Sequence, residues 1–268
     1  MTFITPTTWG RQKPPCGVGL NLADPLACGL AAFWPMTEAS GLRTSSTLGD
    51  ASQFVGSPTW KPSEVGVALD FDGSSMVRSG VTRHLGTAAK PDFSLFALIC
   101  PRAMVQHYGF MGNPSSLSYN SRRVDFSYGP ASNLRVGLGD GAAQYALYSP
   151  NNGLTLNRWQ AVGFVRRGGI YSFWIDGRKV SSGANAVIVP DNSYPWTFGC
   201  NCWLGTYFGN LQMAAAGIWD IGLADELMRR LCAEPYAAFA DDPIVPPTGG
   251  FNPALMNGVN NLIGGGVA

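Results

Sequence analysis

This sequence is poor in charge. Only 13 % of its 268 residues are Asp, Glu, Lys or Arg, against roughly 25 % in average soluble proteins. The formal net charge is +1, and the doublets Arg122-Arg123 and Arg166-Arg167 read as solvated turn flanks. Nucleic acid and anionic membranes both require a basic patch, so neither is expected as the main partner. Long apolar runs are missing too. None approaches the roughly 18 residues of a membrane span. The opening MTFITPTTWGRQKPP lacks the charged-then-apolar pattern of a secretory signal, so no signal peptide is expected. Histidine is limited to His84 and His107. With no G-x-S-x-G elbow, Ser-His-Asp chemistry has no recognisable nucleophile. The six cysteines, Cys16, Cys28, Cys100, Cys200, Cys202 and Cys232, follow neither zinc-ligand nor C-x-x-C spacing. We read them as buried small hydrophobes in a reducing compartment.

What is present is turn chemistry. With 34 Gly, 19 Pro and 46 % hydrophobic residues, the chain is globular and needs many turns and few long helices, which points to an all-β class. Residues 1–28 carry Pro6, Pro14, Pro15 and Pro25 and read as an extended N-terminal arm rather than a core element. From there the sequence alternates short strands with turns. PDFSLFALIC (91–100) is a buried strand. NLRVGLGD (133–140) and AQYALYS (143–149) flank Gly139-Asp140-Gly141 as a hairpin. In GGIYSFWIDGRKV (168–180), Tyr171, Phe173 and Ile175 share one strand face, while Ile170, Ser172 and Trp174 share the other. Asp176-Gly177 then suits a two-residue type I′ turn, so Asp176 is turn chemistry, not a ligand-binding acid. One helix is expected over about 224–234, with Leu223, Leu227 and Leu231 as its apolar stripe and Asp225 and Glu226 in its first turn. Residues 241–268 are Gly- and Pro-rich yet carry Phe251, Leu255 and Leu262, more apolar than a free tail.

The order of FSLFALICP, RWQAVGFV, IYSFWIDGRKV and LGTYFGNLQMAAAGIWDIGLADELMRRL resembles the laminin-G-like, concanavalin A-like family over about 29–232. LAAFWPMTEASG and ALDFDG resemble its opening strands. Two departures stand out. Ala224 and Leu227 leave the helix without a capping box, and the spacing from Phe208-Gly209 to Trp219 is slightly long. The resemblance implies a jelly-roll sandwich of two antiparallel sheets over 29–240, with one short C-terminal helix and arms at 1–28 and 241–268. The Pro-rich opening, PLACGLAAFWPMTEASG and EPYAAF resemble most the versions encoded among bacteriophage structural genes.

Function within this family varies, so the residues decide. Its hydrolases carry Glu-x-Asp-x-x-Glu on one strand. Here Glu38, Glu64, Glu226 and Glu234 are widely separated, so two cooperating carboxylates are not expected and the protein reads as no enzyme. No cofactor is expected. Calcium stays open, because relatives hold it through carboxylates and carbonyls at the sheet rim; Asp70, Asp72 and Asp220 are the candidate ligands. The dense aromatic stretch 192–210 offers Tyr194, Trp196, Trp203 and Tyr207 for a glycan or for a neighbouring subunit. The expected role is a virion protein that decorates or cements a capsid. It would bind the major capsid protein and neighbouring copies of itself through arm residues such as Phe3, Trp9, Phe251, Leu255 and Leu262. The alternative is a carbohydrate- or receptor-binding module of a phage tail or fibre, with a cell-surface glycan as partner.

Overall fold

Short apolar and aromatic runs between turn residues favour strands over helices, and the computed structural model is built of them. It describes residues 13–14, 19–47, 49, 52–113, 123–190, 194–200 and 207–239. The chain runs through β1 (Leu30–Trp34), β2 (Gln53–Val55), β3 (Thr59–Ser63), β4 (Gly66–Asp72), β5 (Met76–Arg78), β6 (Phe93–Pro101) and β7 (Tyr108–Gly112). It continues through β8 (Arg123–Tyr128), β9 (Leu134–Gly139), β10 (Gln144–Tyr148), β11 (Gln160–Arg167) and β12 (Ile170–Ile175). Last come β13 (Arg178–Ala184), β14 (Thr197–Phe198), β15 (Asn210–Trp219) and α1 (Asp225–Ala233). An eight-stranded sheet has the order β13-β12-β11-β6-β15-β4-β3, with β1 also on β15; a seven-stranded sheet has the order β10-β9-β8-β7-β14-β5-β2. Every pairing is antiparallel. This is the expected all-β sandwich of jelly-roll type.

The two sheets enclose a core rich in rings: Trp34, Phe71, Phe93, Phe110, Phe126 and Trp196 are all fully buried. The eight-stranded sheet buries its other face as well. There Phe33, Phe96, Trp174 and Trp219 pack under Met228, Leu231, Tyr236 and Phe239. That second burial explains why β6 is buried along its whole length, as strands covered on both faces are. The Asp176-Gly177 turn forms as expected, with φ of 49° and 74°, both in the region that type I′ requires. Helix α1 starts at Ala224 without a side-chain cap. Its buried residues are Met228, Leu231 and Cys232, while Leu227 is only half-buried. Gly163 makes room for Met228, whose Sδ would lie 2.7 Å from a Cβ there.

The boundary of the N-terminal arm moves. Within the segment read as an arm, residues 19–28 belong to the sandwich. Leu20 bridges Phe239, Leu26 is fully buried, and the Trp219 indole donates to the Leu26 carbonyl at 2.7 Å. Asp24 caps the turn Pro25–Ala27 and pairs with Arg230 at 2.7 Å. Proline and glycine around Leu20 and Leu26 hide this role from sequence periodicity. Of the cysteines, Cys100, Cys200 and Cys232 are buried as expected, but Cys28 is exposed; Cys16 and Cys202 lie outside the described residues.

Lys13 completes a seam. β4 pairs with residues 210–213 of β15 and β1 with residues 216–219, so both strands share one edge and part at Ala214. The Lys13 ammonium enters there and donates to the carbonyls of Met36 (3.0 Å), Ala214 (2.8 Å) and Val67, 5.9 Å from the Tyr236 ring centroid. Burial lowers its pKa from 10.5 to about 7, with Glu38 opposing. Between those values the unfolded chain holds the extra proton, so stability rises with pH. We expect Lys13→Met, which leaves buried carbonyls unpaired, to cost about 1–3 kcal/mol at pH 7. The gap to the native protein should widen toward pH 9. Thermal melts of both proteins at the two pH values check this; superimposable melts would contradict it.

Candidate functional site

Alternation along β8 and β9 sends Val124, Phe126 and Tyr128, with Leu134, Val136 and Leu138, into the core. The intervening residues face outward, and the register assembles them into rows. Asp125 stands beside Gly137 and Ala146; Ser127 stands beside Arg135 and Tyr148; Arg123 stands beside Gly139 and Gln144. The Asp125 row runs on through Gly112, Thr197, Arg78 and Gln53. The outward positions of β7, β8 and β9 are buried like the inward ones, so this face is accessible at its two ends, β10 and β2.

Its centre is an ion cluster. Asp125 is fully buried and receives Arg135 Nη1 at 2.5 Å and Arg123 Nε at 3.0 Å. Arg135 also reaches the Ser127 hydroxyl at 3.4 Å. Burial pulls the Arg135 guanidinium down, but Asp125 and a hydrogen bond with the Tyr148 phenol outweigh it and raise its pKa. Gly137 admits the cluster, since a Cβ there would lie 2.8 Å from the Gln144 amide nitrogen and collide with Asp125. His107 and Asn133 converge over Gly129 in the same way. Burial, then the Arg135 charge, lowers the His107 pKa and so favours the neutral imidazole.

One exposed tyrosine marks this face, and a second stands at the sheet's rim. Tyr148 is 45 % exposed beside Arg135, and Tyr207 is 54 % exposed. The Tyr207 carbonyl accepts the Gly109 N–H at 2.8 Å, and Gly109 sits opposite Ser127. One row therefore runs from Tyr207 and Gly109 through Ser127 and Arg135 to Tyr148. From Gly109 to Tyr148 it spans about 14 Å at about 4.8 Å per strand. Polar groups ending at a half-exposed ring suit polyhydroxylated ligands, which present hydroxyls in the ring plane and C–H groups above it.

Sequence reasoning named Tyr207, which is exposed, and did not name Arg135, Asp125 or Tyr148, which come together only through strand register. Trp196 is corrected. It is fully buried, with its indole donating to the Arg83 carbonyl at 2.9 Å, because the short β14 it precedes lies inside the sheet between β7 and β5. Tyr194 is half-buried, and Trp203 lies outside the described residues. The calcium candidates do not form one site. Asp70 is paired with Lys61 and Arg102, each at 2.7 Å. Asp72 accepts from Ser74 and Ser75, and the Ser74 N–H leads in lowering its pKa. Asp220 pairs with Lys90. It follows β15, about 26 Å along that strand from the partner of Asp70 at about 3.3 Å per residue. Among the described residues no three His, Cys, Asp or Glu side chains are placed to hold a metal ion. No helix there is long and apolar enough to cross a membrane.

The sequence matches none of the protein-family descriptions or curated proteins it was compared with. Solved structures do match, as folds. Domain 4 of AbnA, an extracellular arabinanase from Geobacillus stearothermophilus in complex with arabinotriose, aligns with a TM-score of 0.59 at 16 % identity, covering 76 % of this chain and 98 % of that one. A Trypanosoma rangeli sialidase mutant aligns at 0.59 and 17 % identity over 84 % of this chain and 37 % of its own. The binding domain of botulinum neurotoxin serotype G aligns at 0.58 and 12 % over 78 % and 51 %. This chain thus spans about half of the toxin domain and about a third of the sialidase. At these identities the likeness defines the fold class, a jelly-roll β sandwich shared with binding domains and with modules of glycan-cleaving enzymes.

Removing Asp125 would take from two buried guanidiniums the carboxylate they share. Asp125→Ala is expected to cost about 3–5 kcal/mol, read as a lowered denaturation midpoint with urea. A midpoint unchanged from the native protein would show that the cluster does not hold this face together.

Proposed function

We propose that this chain is a non-enzymatic binding module that takes a glycan across the outer face of its seven-stranded sheet. One observation carries the reading: α1 covers one outer face, and on the other a row of buried polar groups, Ser127 and Arg135, ends at the exposed ring of Tyr148. Hydrolysis on this face would need two carboxylates. The seven strands of the sheet carry one, Asp125, already held by two arginines. The arabinotriose bound by the arabinanase domain and the binding role of the toxin domain accord with the reading through fold alone.

The finer setting we propose is a virion, where the module would decorate a capsid and bind the major capsid protein and neighbouring copies through its arms, or sit on a tail or fibre. The support is the resemblance of the sequence to bacteriophage structural proteins and its apolar, Pro- and Gly-rich termini. The arm residues Phe3, Trp9, Phe251, Leu255 and Leu262 lie outside the described residues. Short arms of this kind strengthen attachment through multivalency.

A glycan array followed by titration of the best ligand tests the binding role. Tyr148→Ala should weaken binding at least about tenfold, 1.4 kcal/mol, with the melting temperature retained. No glycan bound, or binding indifferent to Tyr148→Ala and Arg135→Gln, would contradict it. For the virion setting, truncation of residues 1–12 or 241–268 should abolish particle binding while the sandwich stays folded; undiminished binding by both would sink it.

A further inference from the structure

Open sheets end in strands whose outward N–H and C=O groups invite a further strand, and proteins block such edges with charge, proline, bulges or brevity. Three edges here are blocked. β13 opens with Arg178 and Lys179, and its pairing with β12 is interrupted by a register shift. β3 carries Lys61 and Pro62. β2 has three residues. β10 has none of these devices. It is five residues long, Gln-Tyr-Ala-Leu-Tyr, uncharged and free of proline, and pairs with β9 without a register shift.

The hydrogen bonds fix which way its backbone points. Asp140 donates to the Ala143 carbonyl and Ser149 donates to the Leu134 carbonyl, so residues 143 and 149 turn their backbone toward β9. Antiparallel ladders alternate, so 145 and 147 do likewise, and Gln144, Ala146 and Tyr148 aim N–H and C=O away from the sheet. Tyr145 and Tyr148 are also 40 % and 45 % exposed.

We infer that β10 is a strand-addition interface for a second copy of this chain, paired antiparallel with Ala146 on the two-fold axis. This register sets Gln144 against Tyr148 of the partner subunit and Ala146 against its own counterpart. All three pairs join outward-pointing residues, giving about six inter-chain backbone hydrogen bonds. The absence of charge makes self-pairing free of like-charge contacts, which the Arg178-Lys179 edge would suffer. Side chains agree. Tyr145 meets Leu147 of the partner subunit on the inner face, an aromatic–aliphatic cross-strand pair. On the outer face Gln144 comes beside Tyr148 of the partner subunit. The two seven-stranded sheets merge into one continuous surface with both polar faces on the same side. This pairing stands whether or not that face binds a glycan.

Sedimentation velocity over a dilution series of the full chain tests it. The native protein should shift from monomer to dimer with concentration. Ala146 is exposed, so Ala146→Lys and Ala146→Glu should fold, yet each places like charges face to face and should stay monomeric. An equimolar mixture of the two should regain the dimer. Ala146→Pro removes an N–H that points away from β9, so it should melt like the native protein and also stay monomeric. A native protein monomeric at every concentration, a dimer indifferent to Ala146→Lys and Ala146→Pro, or a mixture that fails to dimerise would overturn the proposal.

Discussion

β15 hydrogen-bonds to β6 along one edge and to β4 and then β1 along the other, and it is packed on both faces. A strand so enclosed has little room for side chains, which explains Ala214-Ala215-Ala216-Gly217 at its centre. A Cβ at Gly217 would lie 2.7 Å from the Trp219 ring and 2.8 Å from that of Phe33. The change of partner from β4 to β1 leaves a gap in the ladder at Ala214. The Lys13 ammonium and the Tyr236 hydroxyl both donate to the Ala214 carbonyl there. The segments before β1 and after α1 are therefore fastened to the same strand.

That double packing makes the two outer faces of the sandwich unequal. Phe33, with ring centroids 5.4 Å from Phe239 and 6.3 Å from Trp219, belongs to an apolar layer that only a cover can shield from water. Helix α1 and residues 234–239 provide it. The seven-stranded sheet has no such apolar outer layer. Its outward positions on β8 and β9 are Arg123, Asp125, Ser127 and Arg135, and a fully buried carboxylate among them is tolerable only because two guanidiniums meet it. Among the described residues, α1 and residues 234–239 cover only the eight-stranded sheet.

Much of this was legible locally. Asp176-Gly177 and Gly139-Asp140-Gly141 carry their turns in two or three residues, and α1 announces itself by its acids and its apolar stripe. The candidate site was not legible. Asp125 and Arg135 are ten residues apart and meet through the β8–β9 register, and nothing local distinguishes this arginine from a solvated one. Trp196 misled for the converse reason: β14 is two residues long, too short to carry a periodicity, so a core tryptophan reads as a loop residue. Lys13 has no local signature, because its partners lie on three distant segments. The fold was readable from alternation and turns, whereas the site depended on pairings between strands.

The central claim is that ligand recognition belongs to the uncapped sheet. Backbone amide chemical shifts followed during titration with a bound oligosaccharide test it most directly. The account predicts perturbations concentrated on β8, β9 and β10, around Ser127, Arg135 and Tyr148, with those of α1 unmoved. Perturbations centred on α1 and residues 234–239, or spread evenly over both sheets, would contradict it.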